Sequence, residues 1–342
     1  MIIRNSKVAK KTFIIAEVGV NHNGNIDLAN RLIDAAIEAG ADAIKFQAAI
    51  PELVATLSAE KALYQKNNTS NSESQLEMIK KIHLPLETYK ELQNTCKKKG
   101  IEFFITAFDM ESLEYIESLN PHLHKVPSGE ITNLPYLRTI ASYGKPTIIS
   151  TGMCSMDEIK EAIKVFDDED FNRELITILH CNTEYPSPMR DINLKAMQTI
   201  ESTFKTKIGY SDHTEGIEVP IAAVALGASV IEKHITLDRN LEGPDHKASI
   251  EPNTFKKMVS AIRNIELSLG SSKKFVSLSE KKNRNIARRS IVASQKIKAG
   301  ETFSSKNIIA KRPGDGISPM LWDKIIGKIA KRNFDFDEQI EL

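Results

Sequence analysis

Short runs of β-branched and other apolar residues recur along the first 240 residues, and longer amphipathic segments separate them. Short apolar runs between turn residues are typical of buried strands, and amphipathic segments with a period of 3.6 residues are typical of helices. Strands are therefore predicted at eight places: Phe13–Val18, Ala43–Gln47, Glu102–Thr106, His124–Pro127, Thr147–Thr151, Ile176–Cys181, Ile208–Ser211 and Val230–Thr236.

The segments between these runs have the helical pattern. In Asp27–Ala39 the apolar residues share one face, and Gly40 provides a C-terminal stop. Eight strands that alternate with helices predict a parallel sheet, and this number within about 250 residues favours a closed (β/α)₈ TIM barrel in an α/β protein. A doubly wound open sheet is the structural alternative.

The composition changes after Gly270. Residues 271–285 are rich in Ser, Lys, Asn and Arg, which predicts a linker between a barrel domain at 1–270 and a small domain at 286–342. The small domain contains strand-like pieces at Ser290–Ala293 and Asn307–Lys311, separated by turn residues. Its length is near the lower limit for a domain that folds alone.

Charge and cysteine content exclude several classes of protein. The 46 basic residues nearly cancel the 45 acidic ones, so neither a nucleic acid nor a membrane surface is an expected partner. Three cysteines without a CxxC spacing favour reduced thiols. Residues 1–11 are polar and basic, and the apolar run at 13–16 is too short for a signal peptide, so a cytoplasmic protein is predicted.

A polar side chain lies at the end of every predicted strand. These residues include Glu17, Lys45, Asp109, Lys125, Ser150, Thr183, Ser211 and His234. Because a barrel collects the carboxyl ends of its strands at one mouth, the side chains are expected to converge on one pocket. Solvation does not explain eight such positions, since barrel strands are buried and a buried charge needs a partner.

Two lysines within apolar strands, Lys45 and Lys125, indicate an anion site, although surface lysines are the alternative. Ammonium groups and hydroxyl donors together would hold a phosphate, and the hydroxyl candidates are Ser128, Ser150 and Ser211. The sequence contains neither a P-loop nor a dinucleotide fingerprint.

The candidate metal ligands are His213 and His234, at the ends of neighbouring strands, with Glu17 able to approach from the first strand. The alternative is that each histidine is a hydrogen-bonded core residue. Imidazole and carboxylate ligands would suit Mn²⁺, or Mg²⁺ or Co²⁺, with open positions for substrate.

Several motifs resemble those of the bacterial sialic acid synthase family, which makes N-acetylneuraminate, legionaminate and related sugar acids. The similarity runs from about residue 12 to 335 in these segments: Ile14-Ile-Ala-Glu-Val-Gly-Val-Asn-His-Asn-Gly24, Lys125-Val-Pro-Ser-Gly-Glu130, Ser150-Thr-Gly-Met153, His180-Cys-Asn-Thr-Glu-Tyr-Pro186, Ser211-Asp-His213, Glu232-Lys-His234, Gly243-Pro-Asp-His246 and Lys311-Arg-Pro-Gly-Asp-Gly-Ile-Ser-Pro319.

The resemblance implies a barrel followed by a small antifreeze-like domain (SAF, of the β-clip type), in a domain-swapped homodimer. It implies that His213 and His234 bind the metal, commonly Mn²⁺, and that His234 takes part in catalysis. The implied contacts to phosphoenolpyruvate are Lys45, Lys125, Ser128, Ser150 and Ser211. The residues expected around the sugar and the reacting carbons are Glu17, Glu130, Thr183, Tyr185 and Asp245, and Arg312 is expected to reach the sugar's N-acyl group across the dimer.

The implied reaction joins phosphoenolpyruvate to the aldehyde of an N-acetylmannosamine-type sugar and releases phosphate. N-Acetylneuraminate is the expected product, and N,N'-diacetyllegionaminate is the alternative. The sequence leaves open whether Glu17 or Glu130 handles the proton or the water. Departures from the family pattern at Ala48, Ile105 and Ala107 are expected near the pocket, where they would bear on sugar specificity.

Two other classes of protein compete with this interpretation. A metal-dependent barrel hydrolase would also use strand-end His and carboxylate residues, but it typically has His-x-His after the first strand, where this chain has Glu17. A carbohydrate-binding protein would use the small domain for binding, and it leaves the polar strand ends unexplained.

Overall fold

The computed structural model describes residues 11–69 and 73–342. The chain divides into two compact units, with the boundary between Gly270 and Ser271. Residues 1–10, which carry most of the segment used to predict the absence of a signal peptide, lie outside the described part. Within the described part, no helix combines the length and the apolar character that crossing a membrane requires.

Eight parallel strands form a closed barrel in the first unit. Each strand pairs with the next along the chain, and the eighth pairs with the first. The strands are β1 (Phe13–Gly19), β2 (Ala43–Ala48), β3 (Glu102–Ala107), β4 (His124–Val126), β5 (Thr147–Ser150), β6 (Ile176–Cys181), β7 (Lys207–Asp212) and β8 (Val230–His234). This closure confirms the predicted barrel and excludes the doubly wound open sheet.

Helices connect the strands and cover the outside of the barrel. They are α1 (Ile26–Glu38), α2 (Pro51–Val54), α3 (Leu63–Asn68), α4 (Gln75–Ile82), α5 (Thr88–Lys99), α6 (Met110–Ser118), α7 (Leu134–Ser142), α8 (Met156–Asp168), α9 (Ala196–Phe204), α10 (Glu218–Ala225) and α11 (Pro252–Leu269). Local sequence fixes several starting points: the Asn25 side chain caps α1, and Ser155 and Glu158 form a capping box at α8. Between β2 and α5 lies an insertion that contains α2, α3 and α4.

The alternation of side chains along the strands separates two apolar cores. One face of the strands packs against the helices, as Ile14 and Ile44 do. The other face fills the barrel interior with Ile15, Ala43, Phe104, Ile148, Leu179 and Val230. Because the period is two, the residue two positions after each of these also points into the barrel, closer to its mouth.

The second unit has a small core of its own. It contains α12 (Leu278–Ala287), β9 (Ser290–Ala293), β10 (Ile308–Lys311) and α13 (Trp322–Ile325), and β9 and β10 form a two-stranded antiparallel sheet. Isolated bridges such as Ile297 to Phe334 add further pairing. The buried side chains are Ile291, Ala293, Ile297, Phe303, Ile308, Ile325, Ala330, Phe334 and Ile340.

Helix α12 begins within residues 271–285, the segment that the sequence predicts as a linker. The Ser277 hydroxyl accepts a hydrogen bond from the Glu280 backbone, and the Glu280 carboxylate accepts one from the Ser277 backbone, which completes a capping box. Every residue of α12 is exposed, so its composition resembles that of a linker. The local capping signal, rather than the overall polarity, decides the structure here.

Candidate active site

The eight strands contribute a ring of polar side chains to the barrel interior. On each strand, the ring residue follows by two positions the inward-facing residue that lies deeper in the barrel. The ring consists of Glu17, Lys45, Thr106, Lys125, Ser150, Cys181, Ser211 and Glu232. All eight are buried. The lower interior is apolar, so the polar atoms gather towards the carboxyl ends of the strands, as in barrel enzymes.

Two cations and two anions form a buried network within this ring. Lys45 Nζ lies 2.7 Å from Glu17 Oε2 and 3.7 Å from Glu232 Oε2. Lys125 Nζ lies 3.4 Å from Glu232 Oε1, which also accepts a hydrogen bond of 2.8 Å from the Ser211 hydroxyl. Each charge therefore has an opposite charge near it, which is the condition for ionised groups inside a barrel.

Burial and neighbouring charges shift the pKa values of this network in different directions. Burial raises the pKa of Glu17, although Lys45 opposes the change. For Glu232 burial acts in the same sense, but the charges of Lys125 and Lys45 together with the Ser211 hydroxyl lower its pKa to about 2. Burial lowers the pKa of Lys125. Glu232 is thus the more strongly ionised of the two carboxylates.

The predicted serines lie at or directly after the carboxyl ends of β4, β5 and β7. Ser150 Oγ is buried and, among the described residues, has no hydrogen-bond partner. Ser128 Oγ accepts a hydrogen bond of 2.9 Å from the Gly152 backbone and lies 3.3 Å from Cys181 Sγ. A Cβ at Gly152 would come within 2.5 Å of Thr183 Cγ2, so the close approach of this backbone to Thr183 favours glycine. The unpaired Ser150 hydroxyl is free to donate to a ligand.

The two predicted metal ligands are neighbours. The rings of His213 and His234 have centroids 5.4 Å apart. His213 Nδ1 donates a hydrogen bond to the Asn182 carbonyl, which leaves Nε2 as the unprotonated nitrogen of a neutral ring. Burial lowers the pKa of His213 to about 4 and lowers the pKa of His234 well below its ordinary value. Neutral imidazoles are the form that binds metals.

The donor atoms fit a metal bound by two imidazoles. His234 Nδ1 is buried and has no hydrogen-bond partner within residues 11–69 and 73–342. In the same part of the chain, no group of three or more His, Cys, Asp or Glu side chains could hold an ion. Glu17, considered as a third ligand, bonds to Lys45 and Gln47 instead. A metal here would take its other ligands from water and substrate, as catalytic sites do.

Tyr185 and Asp245 adjoin the histidines. The Tyr185 ring stacks on His213 with centroids 4.1 Å apart and meets the edge of His234 at 5.8 Å. Asp245 Oδ2 lies 4.0 Å from His234 Nδ1. Burial, together with the charge of Glu17, raises the pKa of Asp245 to about 7. The structure thus brings two of the residues predicted for the sugar site, Tyr185 and Asp245, to the histidine pair.

Glu130 and Arg312 form hydrogen bonds with residues outside this network. Glu130 closes a short 3₁₀ turn after β4, and its carboxylate accepts a hydrogen bond of 2.6 Å from Asn133. Arg312 is exposed in the second unit, where its Nε donates to the Ala287 carbonyl at 3.0 Å.

Three further residues belong to the network but carried no predicted role. Glu232 joins the two lysines, the Thr106 hydroxyl accepts from Lys45 at 3.0 Å, and Gln47 donates to Glu17 at 2.9 Å. The sequence held a signal for Glu232, since it lies two positions before His234 on one strand and therefore shares its inward face.

The departures from the family pattern at Ala48, Ile105 and Ala107 do not line this pocket. Ala48 and Ala107 are partners in the β2–β3 ladder, and both are buried in the core between the barrel and its helices. Their positions alternate with the inward ones at Gln47 and Thr106, which places them on the outer face of the strands. These residues therefore do not face the pocket, and their effect on sugar specificity stays a prediction.

Behind the histidines, the outer faces of β7 and β8 share a buried ion pair. Asp212 and Lys233 are fully buried, each directly precedes one of the histidines, and their side chains form a salt bridge. Lys233 also donates to the Thr214 carbonyl at 2.7 Å, and the Thr214 hydroxyl donates to Asp212 at 2.8 Å. This arrangement joins the two strand ends that carry the histidines.

Comparison with known proteins supports the resemblance found in the motifs. The NeuB family matches residues 32–274, and the SAF domain matches residues 288–341. N,N'-diacetyllegionaminic acid synthase of Campylobacter jejuni is 51% identical, with 97% of this chain and 99% of the relative aligned. The enzyme of that name from Legionella pneumophila is 45% identical, over 94% and 91%.

Among solved structures, the N-acetylneuraminic acid synthetase of Leptospira borgpetersenii has a TM-score of 0.71 and 36% identity, covering 83% of this chain and 94% of that one. The family match extends over most of the chain, and the identities continue across the barrel and the small domain. The chain therefore belongs to the NeuB family and carries a C-terminal SAF domain.

Proposed function

We propose that the protein is a nonulosonate synthase, a transferase that condenses phosphoenolpyruvate with the open-chain aldehyde of an N-acetylated mannosamine-type sugar and releases phosphate. The main support is the buried pair of Lys45 and Lys125 beside the neutral pair of His213 and His234. The first pair suits an anionic substrate, and the second suits a metal that binds a carbonyl oxygen.

The sugar acceptor is proposed to be of the di-acetamido type, which gives a legionaminate-like product. The support is that the two relatives compared above at 51% and 45% identity are both named N,N'-diacetyllegionaminic acid synthases. An N-acetylmannosamine-type acceptor, with N-acetylneuraminate as the product, is the second candidate. The name of the Leptospira structure favours it.

Phosphoenolpyruvate would bind to the lysine side of the ring. Lys45 and Lys125 would contact its phosphate and carboxylate, and the free hydroxyl of Ser150 would donate a further hydrogen bond. Glu232 lies within 3.7 Å of both ammonium groups and holds them together. The site is preorganised, because the two lysine side chains are already close together and need not move towards each other when the anion binds.

In the proposed reaction, C3 of phosphoenolpyruvate forms a bond to the aldehyde carbon, and the aldehyde oxygen gains a proton. Water adds at C2 and loses one proton. The C2–O bond to phosphate then breaks, phosphate leaves with the electrons of that bond, and the new C2 hydroxyl loses its proton to become the carbonyl of the product. We assign the proton or the water to Glu17 rather than Glu130. Glu17 is buried beside Lys45 and pairs in register with His234, whereas Glu130 bonds to Asn133.

A divalent ion, Mn²⁺ or alternatively Mg²⁺ or Co²⁺, would be held by His213 and His234 and would act as a Lewis acid on the aldehyde. Neighbouring residues of the chain fix the tautomer and the orientation of His213. The Asn182 carbonyl fixes the tautomer of His213, and the Tyr185 ring fixes the plane of its imidazole.

Turnover of defined substrates tests the proposed function. The protein is incubated with Mn²⁺, phosphoenolpyruvate and a panel of mono- and di-acetamido sugars, and both phosphate release and product mass are measured. We expect phosphate and a nonulosonate in equal amounts, with the di-acetamido sugar preferred. A hydrolase would release phosphate without forming a new carbon–carbon bond, and a binding protein would release none.

Lys125→Met is expected to weaken phosphoenolpyruvate binding far more than sugar binding. The lost charge-assisted contact should cost roughly 2–3 kcal/mol, while Glu232 keeps Lys45 as a partner. The KM values for both substrates measure the effect. Lys145→Met serves as the control, since Lys145 pairs with Glu117 instead. A loss confined to the sugar would mean that the two substrate sites are exchanged.

A homodimer is proposed to complete the site through Arg312. The support is that residues of the second unit expose large apolar side chains, Phe275 by 64%, Leu278 by 80% and Ile286 by 70%. Exposed apolar groups of this size are typical of surfaces that bind another protein. The planar donors of an arginine would suit the acyl oxygen of the sugar.

Arg312→Ala is therefore expected to impair use of the sugar without changing the fold or the metal content. Mixing Arg312→Ala subunits with Lys125→Met subunits should restore part of the activity, because a mixed dimer contains one complete site. Arg289→Ala, in the same unit, is the control for general damage. A monomer at working concentration, or no restored activity despite verified subunit exchange, would refute the proposal.

A further inference from the structure

The insertion after β2 carries one aromatic side chain, Tyr64, that packs beside the histidine pair. Tyr64, in helix α3, stacks on Tyr185 with ring centroids 4.9 Å apart and an interplanar angle of 25°. Tyr185 in turn stacks on His213 at 4.1 Å and 29°. Three rings therefore lie in sequence, and Tyr64 forms the outer one. Tyr64 belongs to none of the motifs that identify the family in this chain.

A second contact ties α3 to the other sugar-side residue. Asn68 Nδ2 donates a hydrogen bond of 3.0 Å to the Pro244 carbonyl, directly before Asp245 in the chain. Near the start of the helix, Lys61 Nζ donates to the Thr69 hydroxyl at 2.8 Å. This bond closes the segment Lys61–Thr69 on itself.

Helix α3 depends on these contacts for its position. It has six residues, and each keeps part of its surface exposed, so the helix has little core packing of its own. An isolated helix of this length is not stable in water. The stack of Tyr64 on Tyr185 and the hydrogen bond from Asn68 to Pro244 therefore hold the helix in place. The same two contacts restrain Tyr185 and Pro244 on the barrel side.

We infer that Tyr64 is a positioning residue for the sugar, which acts by fixing the ring of Tyr185 against His213. This inference rests on the proposed function. The expected ligand is the sugar rather than phosphoenolpyruvate, because the contacts of Tyr64 and Asn68 lead to Tyr185, His213 and Asp245. The anion-binding lysines are held instead by Glu17 and Glu232, within the barrel.

Steady-state kinetics of Tyr64→Ala, Tyr64→Phe and Leu63→Ala test this role. Tyr64→Ala is expected to raise the KM for the sugar, and thereby lower kcat/KM for the sugar, by about tenfold, the size of effect that an aromatic pair supplies. The KM for phosphoenolpyruvate should stay within about twofold of the wild-type value. Tyr64→Phe keeps the ring and should restore sugar use. Leu63→Ala removes a neighbouring side chain that is 74% exposed, and it should change neither KM.

Thermal unfolding of each variant shows whether the barrel is intact. If Tyr64→Ala does not fold, Tyr64→Leu keeps an apolar side chain without a ring, and the same split between the two KM values is expected of it. An unchanged sugar KM, or an equal rise in both KM values, would overturn the inference. Absence of any nonulosonate from the wild-type protein would instead refute the proposed function, so the two failures are distinguishable.

Discussion

Replacing His213 or His234 with alanine is expected to lower turnover by about a thousandfold or more, because polarisation of an aldehyde by a metal supplies several kcal/mol of transition-state stabilisation. The two rings lie 5.4 Å apart, and His234 Nδ1 is buried without a hydrogen-bond partner in the described part of the chain. Either substitution should remove one of two protein ligands. Metal content after gel filtration, measured by mass spectrometry, should fall together with kcat.

A surface histidine provides the matched control for this prediction. His122 pairs with Glu102, and its side chain is 70% exposed, so His122→Ala should keep both metal and turnover. If the wild-type protein keeps full turnover in a chelator after exhaustive dialysis, the histidine pair has another role.

Asp212→Asn is expected to destabilise the protein by about 3–5 kcal/mol, the usual cost of leaving a buried charge without its partner. Asp212 and Lys233 are both fully buried, and their salt bridge joins the ends of β7 and β8. The substitution keeps the shape of the side chain but removes the charge that compensates Lys233. The free energy of unfolding, from circular dichroism in urea, measures the effect.

Two comparison variants show whether burial is the cause. Asp168→Asn breaks an ion pair with Lys164 whose side chains are 62% and 74% exposed, and its cost should stay below about 1 kcal/mol. The double variant Asp212→Leu with Lys233→Met removes both buried charges and should recover most of the loss. Equal costs for Asp212→Asn and Asp168→Asn would contradict the proposed importance of this pair.

The order and nature of the barrel strands followed from the sequence because their signal is local. Strand β6 has the predicted bounds, and β7 begins only one residue before its prediction, at Lys207. A buried strand must carry an apolar run, and the period of two then assigns its inward face. The apolar runs around Lys45 and Lys125 therefore favoured burial of both charges, which the structure confirms, and the motifs around them resemble those of the family.

Local sequence also contained signals that composition concealed. The capping pair of Ser277 and Glu280 begins α12 within a segment that resembles a linker in its overall polarity. Ala48 and Ala107 are adjacent in sequence to inward residues but face the helices. In both cases the deciding feature is which atom bonds to which neighbour or which way one side chain points, and an average over a segment does not retain that information.

Contacts between distant parts of the chain were decided by the tertiary structure alone. The closure of the barrel brings Glu232 on the last strand between Lys45 and Lys125, and the register of β1 with β2 pairs Glu17 with Lys45. The insertion after β2 brings Tyr64 onto Tyr185, more than a hundred residues along the chain. The sequence by itself determined which groups are buried and which chemistry they offer. Only strand register and barrel closure determined which of them meet, since these depend on pairing between segments that carry no local record of each other.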